Sequence, residues 1–180
     1  RPFIPSLRYF GFVDPSGGSQ DSMTLGIAHQ DKAGIAILDV VREVKPPFSP
    51  EQVVIDFCHT LKDYRVRSVH GDRYAGEWVV ESFQKRGIRY KRTERSKSEI
   101  YRDLLPLLNS KQCELLDNDR LANQAQGLER RTARGGRDSI DHAPGGHDDL
   151  VNAAAGALVH ATILNREISP QHWRRLPRMV

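Results

Sequence analysis

Tyr9-Phe10-Gly11-Phe12-Val13-Asp14-Pro15-Ser16-Gly17-Gly18 decides the fold. An apolar run of strand length closes on a carboxylate and breaks at once into Pro and Gly. Residues 9–14 are therefore expected to form a first strand. Pro15 to Ser19 must then turn, because Gly-Gly tolerates positive φ and lets the backbone approach a ligand. A strand ending in Asp sets that carboxylate at the rim of a sheet, where open α/β folds build their sites.

Residues 23–29 and 34–44 read as two further strands joined at Asp31-Lys32-Ala33-Gly34, so the first three strands are expected to form an antiparallel meander. Pro46-Pro47 ends the third. Ser49-Pro50 signals a helix start, with Val53, Val54, Phe57, Leu61 and Tyr64 at helical spacing to about Arg65. A strand over 66–71 follows and closes on Asp72. Helices are expected over 78–86, 98–108 and 119–131, with strands over 88–92 and 113–116. Residues 132–146, rich in Gly and Arg, read as a loop or hairpin, and a last helix runs from Asp148 to about Asn165. Three consecutive strands followed by alternating helices and strands give a mixed central sheet flanked by helices, close to the RNase H-like arrangement.

Three acids from distant parts of the chain stand out in this frame. Asp14 and Asp72 end strands, and Gly146-His147-Asp148-Asp149 opens the last helix. Hard divalent ions take oxygen ligands, so a site for Mg²⁺ or Mn²⁺ needs several carboxylates and no thiols. A pair of such ions is the common means of hydrolysing a phosphodiester without a covalent intermediate. Asp14 would be the bridging ligand, Asp72 a second, and Asp149 with Asp148 beside it would reach in from the helix. Each acid alone also reads as a turn former, an ion-pair partner or a helix cap. His147 either positions water or phosphate, or simply sits in the loop. Asp21 reads mainly as a surface turn residue.

The charge pattern agrees with a polyanionic partner. Net charge is +4, and the excess is uneven: residues 85–102 carry eight Lys or Arg against two Glu, and residues 120–137 five Arg against one Glu. Such stretches suit nucleic acid, whose condensed counterions are released on binding. Arg89, Lys91, Arg92, Arg95 and Lys97 are expected to line one side of the site. Arg130, Arg131, Arg134 and Arg137 fall in or beside the Gly-rich loop, which would fold over a duplex or gate the site. Cys58 and Cys113 show no metal spacing and read as thiols in a reducing compartment. Leu150 to Leu164 is the longest apolar stretch, is interrupted by Asn152 and His160, and is too short for a bilayer, so no membrane is expected. The chain opens on Arg1-Pro2-Phe3-Ile4-Pro5 without a Met and reads as a piece of something larger.

Phe12-Val13-Asp14-Pro15-Ser16-Gly17-Gly18, His70-Gly71-Asp72 and Gly146-His147-Asp148-Asp149-Leu150-Val151-Asn152-Ala153 together resemble the nuclease domain of tailed-phage terminase large subunits. Lys97-Ser98-Glu99-Ile100-Tyr101 and Gly136-Arg137-Asp138-Ser139-Ile140-Asp141-His142 are similar to stretches between that family's second and third acids. The resemblance runs from about residue 9 to 165. It implies an RNase H-like fold and a metal-dependent endonuclease that cuts concatemeric DNA during genome packaging. It also implies metal-binding acids at Asp14, Asp72 and the Asp148–Asp149 pair, with Asp149 favoured. Asn152 departs from the pattern, since the family often carries a further Asp there.

The domain reading that follows is a linker over 1–8, a nuclease domain over 9–165 and a basic tail over 166–180. The family's ATPase motor lies upstream, and no GxxxxGK[ST] loop is present here, so this part of the chain is expected neither to bind ATP nor to move DNA. Implied partners are double-stranded DNA, that ATPase domain of the same large subunit, the portal and the small terminase subunit, in the host cytoplasm at the procapsid portal. Two other readings stay open: a Holliday-junction resolvase or transposase-like nuclease, and a non-catalytic DNA- or portal-docking module.

Overall fold

The computed structural model describes residues 1–73, 75–132 and 138–168. Alternation along β1 (Tyr9–Asp14) sorts the core into two layers. Tyr9 and Val13 join Met23, Leu25, Phe57, Leu61 and Phe83 on one face. Phe10 and Phe12 join Ala28, Leu38, Ile100, Leu121 and Leu158 on the other. By the same parity Asp14 lies on the Phe12 face.

β1 is central. It pairs antiparallel with β2 (Met23–Gln30), and β2 pairs antiparallel with β3 (Ala36–Val44). On its other side β1 pairs in parallel with β4 (Ser68–Gly71), which pairs in parallel with β5 (Arg89–Arg92). A two-residue β6 (Cys113–Glu114) adds to the far edge, giving the order β5-β4-β1-β2-β3-β6. That order, with three antiparallel strands followed by parallel ones, is the RNase H-like arrangement.

α1 (Pro50–Asp63) and α2 (Glu77–Lys85) cover the Val13 face through Val53, Phe57, Val79 and Phe83. α3 (Lys97–Asn109), α4 (Asp119–Gln126) and α5 (Asp149–Ile168) cover the Phe12 face. α5 is buried from Leu150 to Thr162, which explains why it is apolar on every side. Its small residues let it lie directly on the sheet. A Cβ added at Gly156 would fall inside the Phe12 ring. Gly156→Ala is therefore expected to cost about 2 kcal/mol by overpacking, read as a lower urea midpoint; an unchanged midpoint would contradict this packing.

Two expectations need correction. The helix expected over 119–131 ends at Gln126, because Gly127 caps it, its N–H bonding to the Asn123 carbonyl. Leu128–Thr132 then forms β7, paired antiparallel with β8 (Asp138–His142) as a separate hairpin. The expected strand over 113–116 is only two residues long. The first eight residues lie against the domain: the Arg1 α-amino group donates to the Asp39 carbonyl at 2.6 Å, and Phe3 packs on Tyr9 and Tyr64. Most of the expected basic tail, from residue 169 on, lies outside the described residues.

Candidate metal centre

The register of β1 and β4 brings the first two acids together. Val13 pairs with Gly71, so Asp14 and Asp72 stand side by side at the carboxyl ends of neighbouring parallel strands. Close approach is required here, since a Cβ on Gly71 would strike the Tyr90 hydroxyl and the Val13 carbonyl. The Tyr90 hydroxyl donates to the Asp72 carbonyl at 3.3 Å and steadies the turn after β4.

The third acid comes from α5. Thr24, opposite Asp14 in the β1–β2 register, donates its hydroxyl to the Asp149 carbonyl at 2.7 Å and pins the helix start to the sheet. The Ser22 backbone N–H donates to the Asp149 carboxyl. Ser22 is itself tied down, its hydroxyl donating to Glu43 at 2.9 Å, while Glu43 receives a two-pronged ion pair from Arg120.

Asp14, Asp72, Asp148, Asp149, Asn152 and Asp21 line one open cleft of about 610 Å³. Burial pushes the Asp14 carboxyl up to about 7, opposed by a hydrogen bond from Asn152 and reinforced by the charges of Asp149, Asp72 and Asp148. Burial likewise raises Asp149, where Asp21 and Asp148 add repulsion. Asp149 Oδ2 is buried with no hydrogen-bond partner among the described residues. A crowd of hard oxygen donors, one of them buried and unpartnered, with no thiol nearby, fits a divalent cation.

Asp148 has a different environment. It is 4% exposed and receives the Tyr101 hydroxyl at 2.9 Å and the Lys97 ammonium at 2.9 Å. Lys97 also pairs with Asp141 of β8 at 2.9 Å. Burial works against charge on Lys97, but the two carboxylates outweigh it and raise its affinity for the proton. Asp141, His142 and Asp148 place donor atoms within 4.8 Å of one another, and Lys97 bridges the two carboxylates of that set. Lys97 is positioned by a capping box between Ser96 and Glu99 at the start of α3. Ser98 clips the same helix end to β8, donating its hydroxyl to the Ile140 carbonyl at 3.0 Å.

The remaining expected residues separate. His147 is exposed and is not among the residues that line the cleft. Asp21, read as a turn residue, does line it. Arg92 pairs with Glu77 at 2.6 Å and Arg95 with Asp103 at 3.0 Å. Arg130 lines a separate apolar groove with Leu105 and Val151, and Arg134 and Arg137 lie outside the described residues. His70 turns away from the cleft and stacks on His160 of α5 at 4.4 Å. Sequence reasoning missed the acid-bridging role of Lys97, Asp141, Tyr101 and the contact of Asn152, whose Nδ2 donates to Asp14 Oδ2 at 2.8 Å.

No protein-family model and no curated protein matches the chain. Solved structures do. The large terminase nuclease from thermophilic phage G20c superposes with a TM-score of 0.74 at 19% identity, covering 87% of this chain and 84% of that one. The same nuclease with bound magnesium gives 0.73 at 19% identity, over 88% and 84%. The HK97 bacteriophage large terminase gives 0.71 at 14% identity, over 89% of this chain but 40% of that one. At these identities the likeness is one of fold.

Proposed function

We propose that this chain is a divalent-metal-dependent endodeoxyribonuclease of the terminase large-subunit type, cutting concatemeric viral DNA during genome packaging. The observation that carries the reading is the convergence of Asp14, Asp72 and Asp149 at one rim of an RNase H-like sheet, with an unpartnered buried oxygen on Asp149. Asp14, Asp72 and Asp149 would hold Mg²⁺ or Mn²⁺, two ions being the expected number. Bound there, the metal would supply Lewis-acid activation of the attacking water and of the departing oxygen.

The chain's own groups do the positioning. Asn152 orients Asp14, Thr24 and Ser22 fix Asp149, and Tyr90 steadies Asp72. Asp148 acts as a structural acid, locking the start of α5 to α3 and β8 through Tyr101 and Lys97. Arg92 and Arg95, paired with Glu77 and Asp103, would exchange these carboxylate partners for DNA phosphates. The partners that go with this reading are double-stranded DNA, an ATPase domain of the same large subunit, a portal and a small terminase subunit, in the cytoplasm of the bacterial host. Among the described residues no helix is long and apolar enough to cross a membrane.

The test is incubation of supercoiled plasmid with Mg²⁺, with Mn²⁺ and with EDTA. Nicked and linear products with either metal and none with EDTA are expected. Intact plasmid under every metal, with the chain folded, would overturn the nuclease reading in favour of a docking module.

A further inference from the structure

The same two strands that end at the acids begin at a second cleft. It has a volume of about 570 Å³ and is walled by the rings of Phe3, Tyr9, Phe10 and Tyr64. Among the described residues, four cations, Arg8, Arg65, Arg67 and Lys91, line it, and no carboxylate residue does. Among the described residues none of the four is ion-paired, in contrast to Arg92, Arg95 and Lys97. Two of them are held by rings instead: the Arg8 guanidinium lies 5.2 Å from the Phe10 centroid and that of Arg65 lies 5.0 Å from the Phe3 centroid. Stacking of this kind orients a guanidinium while leaving its N–H donors available.

Strand register explains the clustering. Ser68 of β4 pairs with Arg89 of β5, and His70 pairs with Lys91, so β5 sets a row of cations beside the cleft. Ser68 lines the cleft, and its hydroxyl oxygen is buried with no hydrogen-bond partner among the described residues. Four like charges gathered without a counter-ion repel one another, and an unpartnered buried hydroxyl costs further free energy. A multivalent anion with acceptor oxygens answers both.

We propose that this cleft is a second nucleic-acid site, which grips the phosphodiester backbone at the amino-terminal ends of β1 and β4, about 17 Å along β1 from Asp14 (five steps of about 3.3 Å). The choice of DNA as the polyanion rests on the function proposed above. The edge strand carries further cations: Arg89 shares a face of β5 with Lys91, and Arg92, on the opposite face, is paired in register with Gly71 beside Asp72. A backbone laid along β5 would reach both sites. Guanidinium forks and ring walls suit phosphate and sugar without reading sequence, so the grip is expected to be indifferent to base composition.

The experiment uses a fluorescent duplex of roughly 24 base pairs, long enough at about 3.4 Å per step to span both sites, titrated in EDTA over a salt series. The variant is Arg67→Gln with Lys91→Gln, both exposed side chains, checked for an unchanged melting temperature. Affinity is expected to fall about tenfold or more, and the slope of log affinity against log salt to drop by about two, one per lost phosphate contact. An unchanged slope and affinity would overturn the proposal, as would binding of inorganic phosphate that the duplex does not displace. Because EDTA removes metal and cleavage is not the readout, the result stands apart from the nuclease reading. A chain that grips DNA here but never cuts it keeps this site and loses the other.

Discussion

Asp14→Asn is expected to lower metal-dependent DNA cleavage by a factor of about 10³ or more and to stabilise the metal-free protein at neutral pH. The first effect follows from position. The fields of Asp72, Asp148 and Asp149 converge on Asp14, so under the proposed function it would be a principal ligand of the metal. Losing about 4 kcal/mol of charge stabilisation in the transition state corresponds to about three powers of ten in rate.

The second effect follows from the proton. Burial and the neighbouring carboxylates hold the Asp14 carboxyl protonated up to about pH 7, whereas in the unfolded chain it ionises near pH 4. Between those values the folded state binds more protons than the unfolded state, so metal-free stability falls as pH rises through that window. Asparagine cannot ionise and keeps the hydrogen-bonding partnership with Asn152. Thermal unfolding in EDTA from pH 4 to pH 8 should therefore show a decline for the wild type that the variant flattens. A variant that cleaves at the wild-type rate would remove Asp14 from the metal centre. Parallel pH profiles would remove the electrostatic account of its crowding.

Lys97→Met carries the other large expected effect. The ammonium stands between Asp148, which is 4% exposed, and Asp141 on the β7–β8 hairpin. Removing one partner of a buried pair leaves the other charge uncompensated, a loss of 3–5 kcal/mol when fully buried. Lys97 is partly open to solvent, so about 2 kcal/mol is the expected cost here. Asp148→Asn in the Lys97→Met background should return most of that loss, because an amide still accepts the Tyr101 hydrogen bond and carries no charge. Urea unfolding of the two single variants and the double variant closes the cycle. Simple additivity of two losses would show that Lys97 and Asp148 do not depend on one another. Cleavage by Lys97→Met should fall as well, since α5 and β8 lose their shared clip beside Asp149.

The acids were legible in the sequence because each sits where an element changes: Asp14 closes β1, Asp72 follows β4, and Asp148 precedes α5. Strand alternation and helix capping act over a few residues, and so they survive in the linear pattern. The antiparallel meander of β1, β2 and β3 follows from the same local signals plus the preference for short connections, whereas β6 crosses to the far edge beside β3, away from β5. What stayed hidden was pairing over long separations. Lys97 looked like one more cation in a basic stretch, and only the fold brings it to Asp148, 51 positions on. Asn152 looked like a missing ligand, yet its amide is what orients Asp14. β7 was read as helix because Leu128-Glu129-Arg130-Arg131 has no β-branched residue to argue otherwise. Pairing with β8 overrode that local preference.

Whether Asp14, Asp72 and Asp149 together hold divalent cations is read by calorimetric titration of Mn²⁺ into the wild-type chain beside Asp72→Asn. The account predicts saturable binding to the wild type, with a stoichiometry near two, and a loss of at least tenfold in affinity or of one ion in the variant, with both proteins equally folded. No saturable binding to the wild type, or indistinguishable isotherms for the two proteins, would contradict it.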